Sequence, residues 1–401
     1  MSEDKDRPLN VVLCGPVDPA QLYPSEPYLP AGQNNSPVLS TLASALRDRG
    51  FTVSIVSLSP EVTATWSHSA DGIDLTLLPQ RTRARDRAAD FFGQERKLIA
   101  RELRRVPCDL IHAHWSYEYA WAALSDGRPV LTTVHDAPFT VLKTHRDAYR
   151  LLRYMLAWRV RLKMGAVSAV SPYLATQWRR EMFWRDDVPV VPNMSPLPVS
   201  DPPRTVGNTL VSIGNADPLK NVRSLLTALP AVIRQHPDTT LVLIGPGLGP
   251  TDELASAVGD FDGRIEWMGQ CDRPTVQAAI RRSRAMVHPS LEESQGVALL
   301  EAMSQGVPVV AGRDSGAVPW TLGEAGLLVD VRDPAALASG ICSLLADSST
   351  QERMSEAGRS RVVDVFSETA VVDGYVALYT RLGGGDRPLP GAGRGRAWEA
   401  Q

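Results

Sequence analysis

Two carboxylates, Glu293 and Glu301, stand eight positions apart on either side of Gly296. The stretch that holds them, LEESQGVALLEAM, follows the short apolar run AMVH. That run predicts a strand, and VALLEAMSQ predicts a helix because it has helical periodicity and good helix formers until a glycine ends it. A strand, a polar loop and a helix that begins near Gly296 must therefore position the two glutamates.

The start of this helix predicts an anion site. Its first free N–H groups come from Gly296, Val297 and Ala298 and carry the positive end of the helix dipole, which suits a phosphate or diphosphate. Glu301 lies about one and a half turns further along, where a carboxylate can accept two hydrogen bonds from a vicinal diol such as a ribose. Glu293, in the loop ahead of the helix, could meet hydroxyls of whatever the diphosphate carries. A diol, a diphosphate and a sugar in a row describe a nucleotide-sugar, whereas a local ion pair for Glu301 and a solvated Glu293 are the structural alternative.

Short apolar runs alternate with helical segments along the whole chain, which predicts parallel sheets with helices on both faces. Six runs precede a proline-rich stretch at 188–204 and six follow it. The sequence therefore predicts an α/β protein with two doubly wound, Rossmann-like domains that face each other across a cleft. The expected divisions are an N-terminal domain (1–192), a proline-rich linker (193–206), a C-terminal nucleotide-sugar-binding domain (207–365), a helix returning to the N-terminal domain (366–384) and a disordered tail (385–401).

The composition argues against several classes of protein. The 401 residues carry a formal net charge of −3, so no global basic field favours nucleic acid as a partner. The four cysteines form no CxxC pair and have no histidine at metal-ligand spacing, and no apolar run is long enough to span a bilayer. Because the polar N-terminus does not resemble a signal peptide, we expect a cytoplasmic protein with reduced thiols.

Two arginine-rich segments, at 81–105 and 145–163, lie in the first half of the chain. The second interleaves Arg with Tyr, Leu, Met and Trp, a pattern typical of a basic amphipathic helix on an anionic membrane surface. A solvated helix face with paired charges is the alternative. The sequence leaves both interpretations open, and the first would place the protein in peripheral contact with the inner face of a membrane.

The order of features around the glutamate pair is more specific than the pair itself: a strand, PS, a glutamate, a glycine, a helix with EAM, then a glycine and PVV. This order resembles the donor-site signature of the retaining family-4 glycosyltransferases, which have the GT-B fold and use nucleoside-diphosphate sugars such as UDP-sugars. Gln295 stands where the family prefers Phe. The resemblance implies that the donor nucleotide-sugar is bound by Lys220, Gln270, Cys271, Glu293, Ser294, Gln295, Gly296, Val297, Ala298 and Glu301.

Two further segments of the second half extend the resemblance. IGNADPLKN (213–221) resembles the loop in which an Arg and a Lys of the family bind the donor diphosphate. Lys220 matches the Lys and could stabilise the leaving diphosphate, whereas Asn215 stands where the Arg is often found. WMGQCDRPTV resembles the segment whose backbone meets the nucleobase, around Gln270 and Cys271.

Strand-end motifs of the first half resemble those of the family's first domain. His135 follows the run PVLTTV, and its family counterpart lies near the reacting centre. We therefore expect His135 to be catalytic, together with Lys220 and Glu293. The alternation in DLIHAH predicts that one of His112 and His114 packs inward, and neither is assigned to catalysis.

The N-terminal loop departs from the family pattern. The family usually has a Gly-Gly pair before the first helix, but here a single Gly32 precedes Gln33, Asn34 and Asn35. We expect Gly32, Asn34 and Asn35 on the acceptor side, where the long proline-rich loop at 15–30 would shape the acceptor site.

The resemblance implies a retaining glycosyltransferase of the hexosyltransferase type. It would move a sugar to a hydroxyl of a sugar, lipid-linked or small-molecule acceptor, in cell-envelope glycan or natural-product synthesis. We expect no metal cofactor, because GT-B enzymes generally need none and the DFD triplet (260–262) has no third ligand. A sugar-nucleotide epimerase or hydrolase of the same fold and a catalytically degenerate GT-B partner or regulatory protein are the alternatives.

Overall fold

The described residues of the computed structural model divide into two compact units, each built around one sheet. Unit 1 ends at Met194 and resumes at Glu368, and unit 2 comprises Ser195–Ser367. The described residues are 9–26, 28–33, 36–200, 207–259 and 261–383. Two predicted parts of the chain lie outside the described residues: the tail at 385–401 and residues 201–206 of the linker.

The sheet of unit 1 has the order β3-β4-β2-β1-β5-β6-β7. Its strands are β1 (Asn10–Cys14), β2 (Thr52–Ser59), β3 (Trp66–Ala70), β4 (Ile73–Pro79), β5 (Leu110–His114), β6 (Val130–Val134) and β7 (Ala166–Ala169). The helices between and after them are α1 (Pro19–Leu22), α2 (Pro37–Asp48), α3 (Ala84–Ala88), α4 (Gly93–Leu103), α5 (Glu118–Ala123), α6 (Pro138–His145), α7 (Ala148–Arg161) and α8 (Pro172–Glu181). The central strands β1, β5 and β6 are buried along almost their whole length because helices cover both faces of a parallel sheet.

Strand β3 was not predicted from the sequence. It pairs antiparallel with β4 at the edge of the sheet, with Ser67 opposite Thr76 and Ser69 opposite Asp74. None of its residues is buried. Because the strand has no apolar face to bury, its sequence WSHSA lacks the pattern by which the other strands were recognised.

The sheet of unit 2 has the order β10-β9-β8-β11-β12-β13, with parallel pairing throughout. Its strands are β8 (Asn208–Ile213), β9 (Thr239–Ile244), β10 (Ile265–Gly269), β11 (Ala285–His288), β12 (Val309–Gly312) and β13 (Gly326–Val329). Its helices are α9 (Val222–Gln235), α10 (Glu253–Val258), α11 (Arg273–Arg282), α12 (Val297–Ser304), α13 (Val318–Leu322), α14 (Pro334–Ala346) and α15 (Ser348–Val365), and short 3-10 turns lie at Pro218–Lys220 and Gly323–Ala325. The predicted α/β class is confirmed.

Each sheet has a point where the direction of winding reverses. In unit 1 the chain moves outward from β1 through β2 and then returns to place β5 on the other side of β1. In unit 2 it moves outward from β8 through β9 and then returns to place β11 on the other side of β8. Loops that leave the carboxyl ends of neighbouring strands diverge at such a point and leave a crevice for ligands. The ends of β8 and β11, and of β1 and β5, are therefore where site residues should be found.

The last helix, α16 (Glu368–Leu382), belongs to unit 1. Its buried residues Val371, Val372, Tyr375 and Tyr379 pack into an apolar cluster of that unit. No helix of the described residues has the length and apolar character needed to cross a bilayer.

Candidate functional site

The ends of β8 and β11 bring three charged or polar side chains of unit 2 together. Nζ of Lys220 donates to Oε1 of Glu293 at 2.6 Å, and Nε2 of His288 lies 3.0 Å from the same oxygen. Burial would raise the pKa of Glu293, but the hydrogen bond from His288 and the charge of Lys220 hold that pKa well below its ordinary value of 4.5. Glu293 is therefore an ionised carboxylate, and because it can only accept, Nε2 of His288 carries the proton.

Local hydrogen bonds hold Lys220 in this position. Asp217 caps the short turn at Pro218–Lys220 by accepting from the backbone N–H of Leu219 at 2.9 Å. The N–H of Leu291, in the loop that carries Glu293, donates to the carbonyl of Leu219 at 2.8 Å. The loops after β8 and β11 are thus tied together by their backbones, so the ion pair does not depend on side-chain contacts alone.

Helix α12 begins where the sequence predicted, with Gly296 as its N-cap. Gly296 has φ +88°, and a Cβ added there would lie 2.9 Å from Cδ1 of Leu299. A side chain at this position would be both strained and crowded. The first N–H groups of α12, including those of Val297 and Ala298, therefore follow a residue with no side chain, an arrangement that suits the binding of an anion at a helix start.

Glu301 lies in the second turn of α12 and is only 8% exposed. Its Oε1 accepts a hydrogen bond from Nη2 of Arg273, at the start of α11, at 3.1 Å. Burial raises the pKa of Glu301, and the positive charge of Arg273 opposes that shift without cancelling it. The two glutamates thus lie in different electrostatic surroundings, one held by a lysine and a histidine and the other by an arginine.

The other expected donor-site residues lie in the loops around these pairs. Gln270 is exposed and Cys271 is partly buried, and both follow β10 at the edge of the sheet. Ser294 and Gln295 lie between Glu293 and α12. Gln295 is only 2% exposed, and its carbonyl accepts from Oγ1 of Thr321 at 2.8 Å. The side chain of Gln295 therefore lies inside the loop, and its expected role in donor binding stays a prediction.

Asn215 has a structural partner. Its Oδ1 accepts from the backbone N–H of Asp217 at 3.0 Å, which closes a local turn in the loop after β8. The missing arginine of the family pattern is thus replaced by a turn-forming side chain, which adds no positive charge beside Lys220.

Three histidines of unit 1 lie in β5 or directly after β6. Nδ1 of His114 lies 2.8 Å from Nε2 of His135, and the two rings are stacked with centroids 5.0 Å apart. Nδ1 of His112 lies 2.7 Å from the hydroxyl of Tyr379, and its Nε2 lies 2.7 Å from Oγ1 of Thr133. The prediction that one of His112 and His114 packs inward was wrong: both are buried, because residues two apart on a strand share a face.

Burial keeps these histidines neutral. It lowers the pKa of His135 from 6.5 to about 4. It lowers that of His112 to about 3, with a further contribution from His135. The pKa of His114 also lies well below its ordinary value, because of burial and the neighbouring His112 and His135. Nε2 of His114 is buried and has no hydrogen-bond partner among the described residues.

The N-terminal loop joins the same region of unit 1. A Cβ added to Gly32 would lie 2.1 Å from the carbonyl oxygen of Val17, so only glycine permits this backbone approach. The hydroxyl of Tyr119 donates to Oε1 of the buried Gln33, and Nε2 of Gln33 donates to Oε1 of Glu118 at 3.5 Å. Asn34 and Asn35, the other residues expected on the acceptor side, lie outside the described residues.

A second buried network connects α7 to the loops after β5 and β6. The hydroxyl of Tyr117 donates to Oδ2 of Asp136 at 2.9 Å, and the guanidinium carbon of Arg153 lies 3.6 Å from the ring centroid of Tyr117. Nη1 of Arg153 lies 3.5 Å from Oε2 of Glu118, which is fully buried. Burial raises the pKa of Asp136, an effect that Arg153 opposes. Arg153 therefore anchors α7 to the strand ends of unit 1.

No group of three His, Cys, Asp or Glu side chains that could hold a metal ion is found within the described part of the chain. Asp260 of the DFD triplet is outside that part, and Asp262 is exposed. Metal independence stays a prediction.

Sequence reasoning missed His288, Arg273 and His114 as members of these clusters. His288 is the last residue of the apolar run AMVH, so its place at a strand end was a usable signal. His114, the last residue of the run LIHAH, carried the same signal. Arg273 had no such signal, because it is defined by Glu301, a partner distant in sequence.

Two protein families match the chain, one in each unit. Residues 37–194 match the family described as Glycosyltransferase Family 4, and residues 207–347 match Glycosyl transferases group 1. The two matches together cover both sheets apart from β1.

Curated relatives and solved structures cover most of the chain. The phosphatidyl-myo-inositol mannosyltransferase of Mycobacterium leprae (strain TN) is 30% identical over 334 residues, which cover 80% of this chain and 86% of the relative. The N-acetyl-alpha-D-glucosaminyl L-malate synthase of Bacillus anthracis is 25% identical over 301 residues, which cover 70% of this chain and 77% of the relative. The structure of sucrose-phosphate synthase from Thermosynechococcus elongatus superposes with a TM-score of 0.72 at 21% identity, covering 93% of this chain and 99% of the other.

Proposed function

The chain belongs to the family-4 glycosyltransferases and has their GT-B fold, and from this membership we propose that it transfers a sugar from a nucleoside-diphosphate sugar to an acceptor hydroxyl with retention at the anomeric carbon. The observation that carries the proposal is the arrangement at the ends of β8 and β11: Lys220 and the ionised Glu293 lie beside the start of α12, and Glu301 lies one turn further along.

The diphosphate is assigned to Lys220 and to the N–H groups at the start of α12. Lys220 forms an ion pair with Glu293 in the structure, so the phosphate oxygens compete with Glu293 for its ammonium group. A diphosphate carries more negative charge than one carboxylate and can meet both the ammonium and the helix start, which favours the exchange. During transfer the same groups stabilise the charge that develops on the leaving diphosphate.

The two glutamates are assigned to hydroxyl groups on either side of the diphosphate. Glu301, oriented by Arg273, accepts hydrogen bonds from the ribose diol of the donor. Glu293 keeps its hydrogen bond with His288 when Lys220 turns to the phosphates, and its ionised carboxylate then orients hydroxyls of the donor sugar.

Chemistry at the anomeric carbon needs no enzyme nucleophile in this proposal. The acceptor oxygen attacks the face from which the diphosphate departs, and the departing phosphate oxygen takes the proton of the acceptor hydroxyl. In unit 1, the neutral His135 is assigned to contact with the reacting sugar, where an uncharged imidazole can accept or donate a hydrogen bond without adding charge.

The acceptor class is inferred from the relatives' names. One relative's name describes mannosyl transfer to phosphatidyl-myo-inositol, and another's describes the synthesis of N-acetyl-alpha-D-glucosaminyl L-malate. The first matches a larger share of this chain at higher identity, which favours a hydroxyl of a lipid-linked polyol over a small organic acid.

Thermal unfolding with UDP, GDP and ADP tests the donor assignment, because a ligand that binds the folded state raises the apparent stability. We expect one of these diphosphates to raise Tm. In Glu301→Gln its affinity should fall about tenfold, since a charge-assisted hydrogen bond to the ribose is weakened. Glu356→Gln is the matched control, because Glu356 is an exposed glutamate of α15 in the same unit.

Release of the diphosphate from its sugar then separates the alternatives. Release that requires an acceptor supports transfer, and release or epimerisation with donor alone would support the hydrolase or epimerase. If none of the diphosphates changed Tm, the donor assignment would be wrong and a non-catalytic partner protein would be favoured.

A further inference from the structure

Helix α7 presents an apolar stripe on its outer side. Leu151 and Met155 of α7 and Leu162, directly after its end, have exposed fractions of 47%, 42% and 72%. Together with the exposed Arg159 they are spaced by three or four residues, so they form one line along the helix. We refer to these four residues, with Phe139 and Phe183 described next, as the α7 face.

Two phenylalanines from neighbouring elements extend this stripe. Phe139 of α6 is 46% exposed, and Phe183, just after α8, is 71% exposed. The ring of Phe139 lies 5.6 Å from that of Tyr154, Tyr154 lies 6.4 Å from Trp158, and Trp158 lies 6.0 Å from Phe183. This chain of ring contacts joins α6, α7 and the end of α8 into one continuous apolar surface.

Phe183 also has an unfavourable backbone conformation. Its φ of +49° lies in the left-handed region, where a bulky residue is strained and glycine is preferred. Burial of the ring does not offset this strain, because most of the side chain is exposed. A glycine would serve the end of α8 better, so packing within the fold does not account for the phenylalanine.

The segment of the chain that carries most of the α7 face has an excess of basic residues. From Lys143 to Lys163 there are seven Lys or Arg residues, of which Arg153 turns inward, and one acidic residue, Asp147, whereas the whole chain has a net charge of −3. Asp147 is engaged locally, because it accepts from the N–H of Arg150 at the start of α7. The nearest exposed acidic pair in sequence, Asp186 and Asp187, follows Phe183.

The inner side of α7 is fully used by the fold. Leu156, Ala157 and Val160 are buried in the apolar cluster of unit 1, and Arg153 turns inward to Glu118 and Tyr117. The orientation of the helix is therefore set from inside, and the outward position of the α7 face does not arise from a loosely packed helix.

We propose that the α7 face is a docking surface for an anionic lipid bilayer. Exposed aromatic and aliphatic side chains would enter the interface between headgroups and acyl chains, and the surrounding Lys and Arg side chains would meet the acidic headgroups. Large apolar side chains beside an excess of positive charge are the combination that binds an anionic bilayer by apolar burial and by charge together.

Cosedimentation of the full chain with vesicles tests the proposal. Wild-type protein should sediment with equimolar phosphatidylcholine and phosphatidylglycerol and remain in solution with phosphatidylcholine alone, and added salt should weaken the binding. Phe183→Gly is the decisive variant, because it relieves the left-handed strain while it removes the ring. Its Tm should be unchanged or higher, and its vesicle binding should fall about tenfold.

Matched substitutions elsewhere show whether the effect is local. Leu162→Gln should weaken binding as Phe183→Gly does, whereas Val363→Ser, at an exposed valine of α15, should not. Arg159→Gln should weaken binding to the anionic vesicles more than Arg353→Gln, at an exposed arginine of unit 2. Equal binding of all variants, or equal binding to both vesicle types, would overturn the proposal.

Self-association is the competing explanation for an apolar face. A dimer in solution that Leu162→Gln dissociates, without any vesicle binding by the wild type, would assign the α7 face to a second copy and overturn the lipid assignment. The proposal does not rest on the transfer reaction, so the docking variants should keep wild-type turnover with a water-soluble acceptor.

Discussion

The cluster around Glu293 in unit 2 and the histidine cluster in unit 1 hold their buried titratable groups in different charge states. In unit 2, Glu293 is ionised because His288 and Lys220 compensate its burial. In unit 1, His112 and His135 are neutral because burial lowers the pKa of both imidazoles. A site with an ionised pair can exchange partners with an anion, whereas a neutral cluster can meet hydroxyl groups without adding charge.

The largest expected effect is on turnover and comes from Lys220, in the ionised cluster of unit 2. Lys220→Gln should lower kcat about 100-fold at saturating donor, because the leaving diphosphate loses its ammonium partner while the glutamine still reaches the hydrogen-bonding region. Rates of diphosphate release measure this, with Arg223→Gln, an exposed position of α9, as the control. A loss below about tenfold, roughly 1.4 kcal/mol, would mean that Lys220 is not the main support of the leaving group.

Unit 1 should be the more acid-sensitive of the two units, because its buried histidines are neutral and must be protonated as the pH falls. The pKa of His135 is about 4 in the folded chain and 6.5 ordinarily, so the unfolded chain binds more protons between these values. The stability from this group is present above about pH 6.5 and is lost as the pH falls through about 4. The contribution of Glu293, whose folded pKa is depressed below 4.5, is present above that value and is lost only at lower pH.

Hydrogen exchange read by mass spectrometry can follow the two units separately as the pH is lowered from 7 towards 4.5. Peptides from β5 and β6 should lose protection before peptides from β8 and β11. In His112→Gln, which cannot titrate, the loss in unit 1 should be less steep. If both units lost protection at the same pH, and His112→Gln behaved like the wild type, unit 1 would not be the more acid-sensitive unit.

The smallest expected effect concerns Asn215. Because its side chain accepts from the N–H of Asp217, Asn215→Ala should reduce the free energy of unfolding of unit 2 by about 1 kcal/mol and change kcat by no more than about twofold. Urea unfolding and donor turnover measure the two quantities. A large fall in kcat without loss of stability would instead place Asn215 in contact with the donor.

Much of the fold could be predicted because its strands are buried on both faces. The runs NVVLC and LIHAH were predicted with the bounds that β1 and β5 have. Strand β3 was missed because an edge strand with no buried residue carries no such run. The start of α12 was also predictable, since a glycine before a helical pattern is a local signal that needs no distant partner.

The sequence by itself determined the α/β class, the family and the identity of the glutamates and the lysine, because these depend on short-range order along the chain. Only the tertiary structure decided their electrostatic states: that Glu293 is held by both Lys220 and His288, that Glu301 is held by Arg273, and that the strand-end histidines of unit 1 are neutral. The physical reason is that a pKa depends on burial and on charges brought close by folding, and Lys220 reaches Glu293 from 73 positions away in the chain.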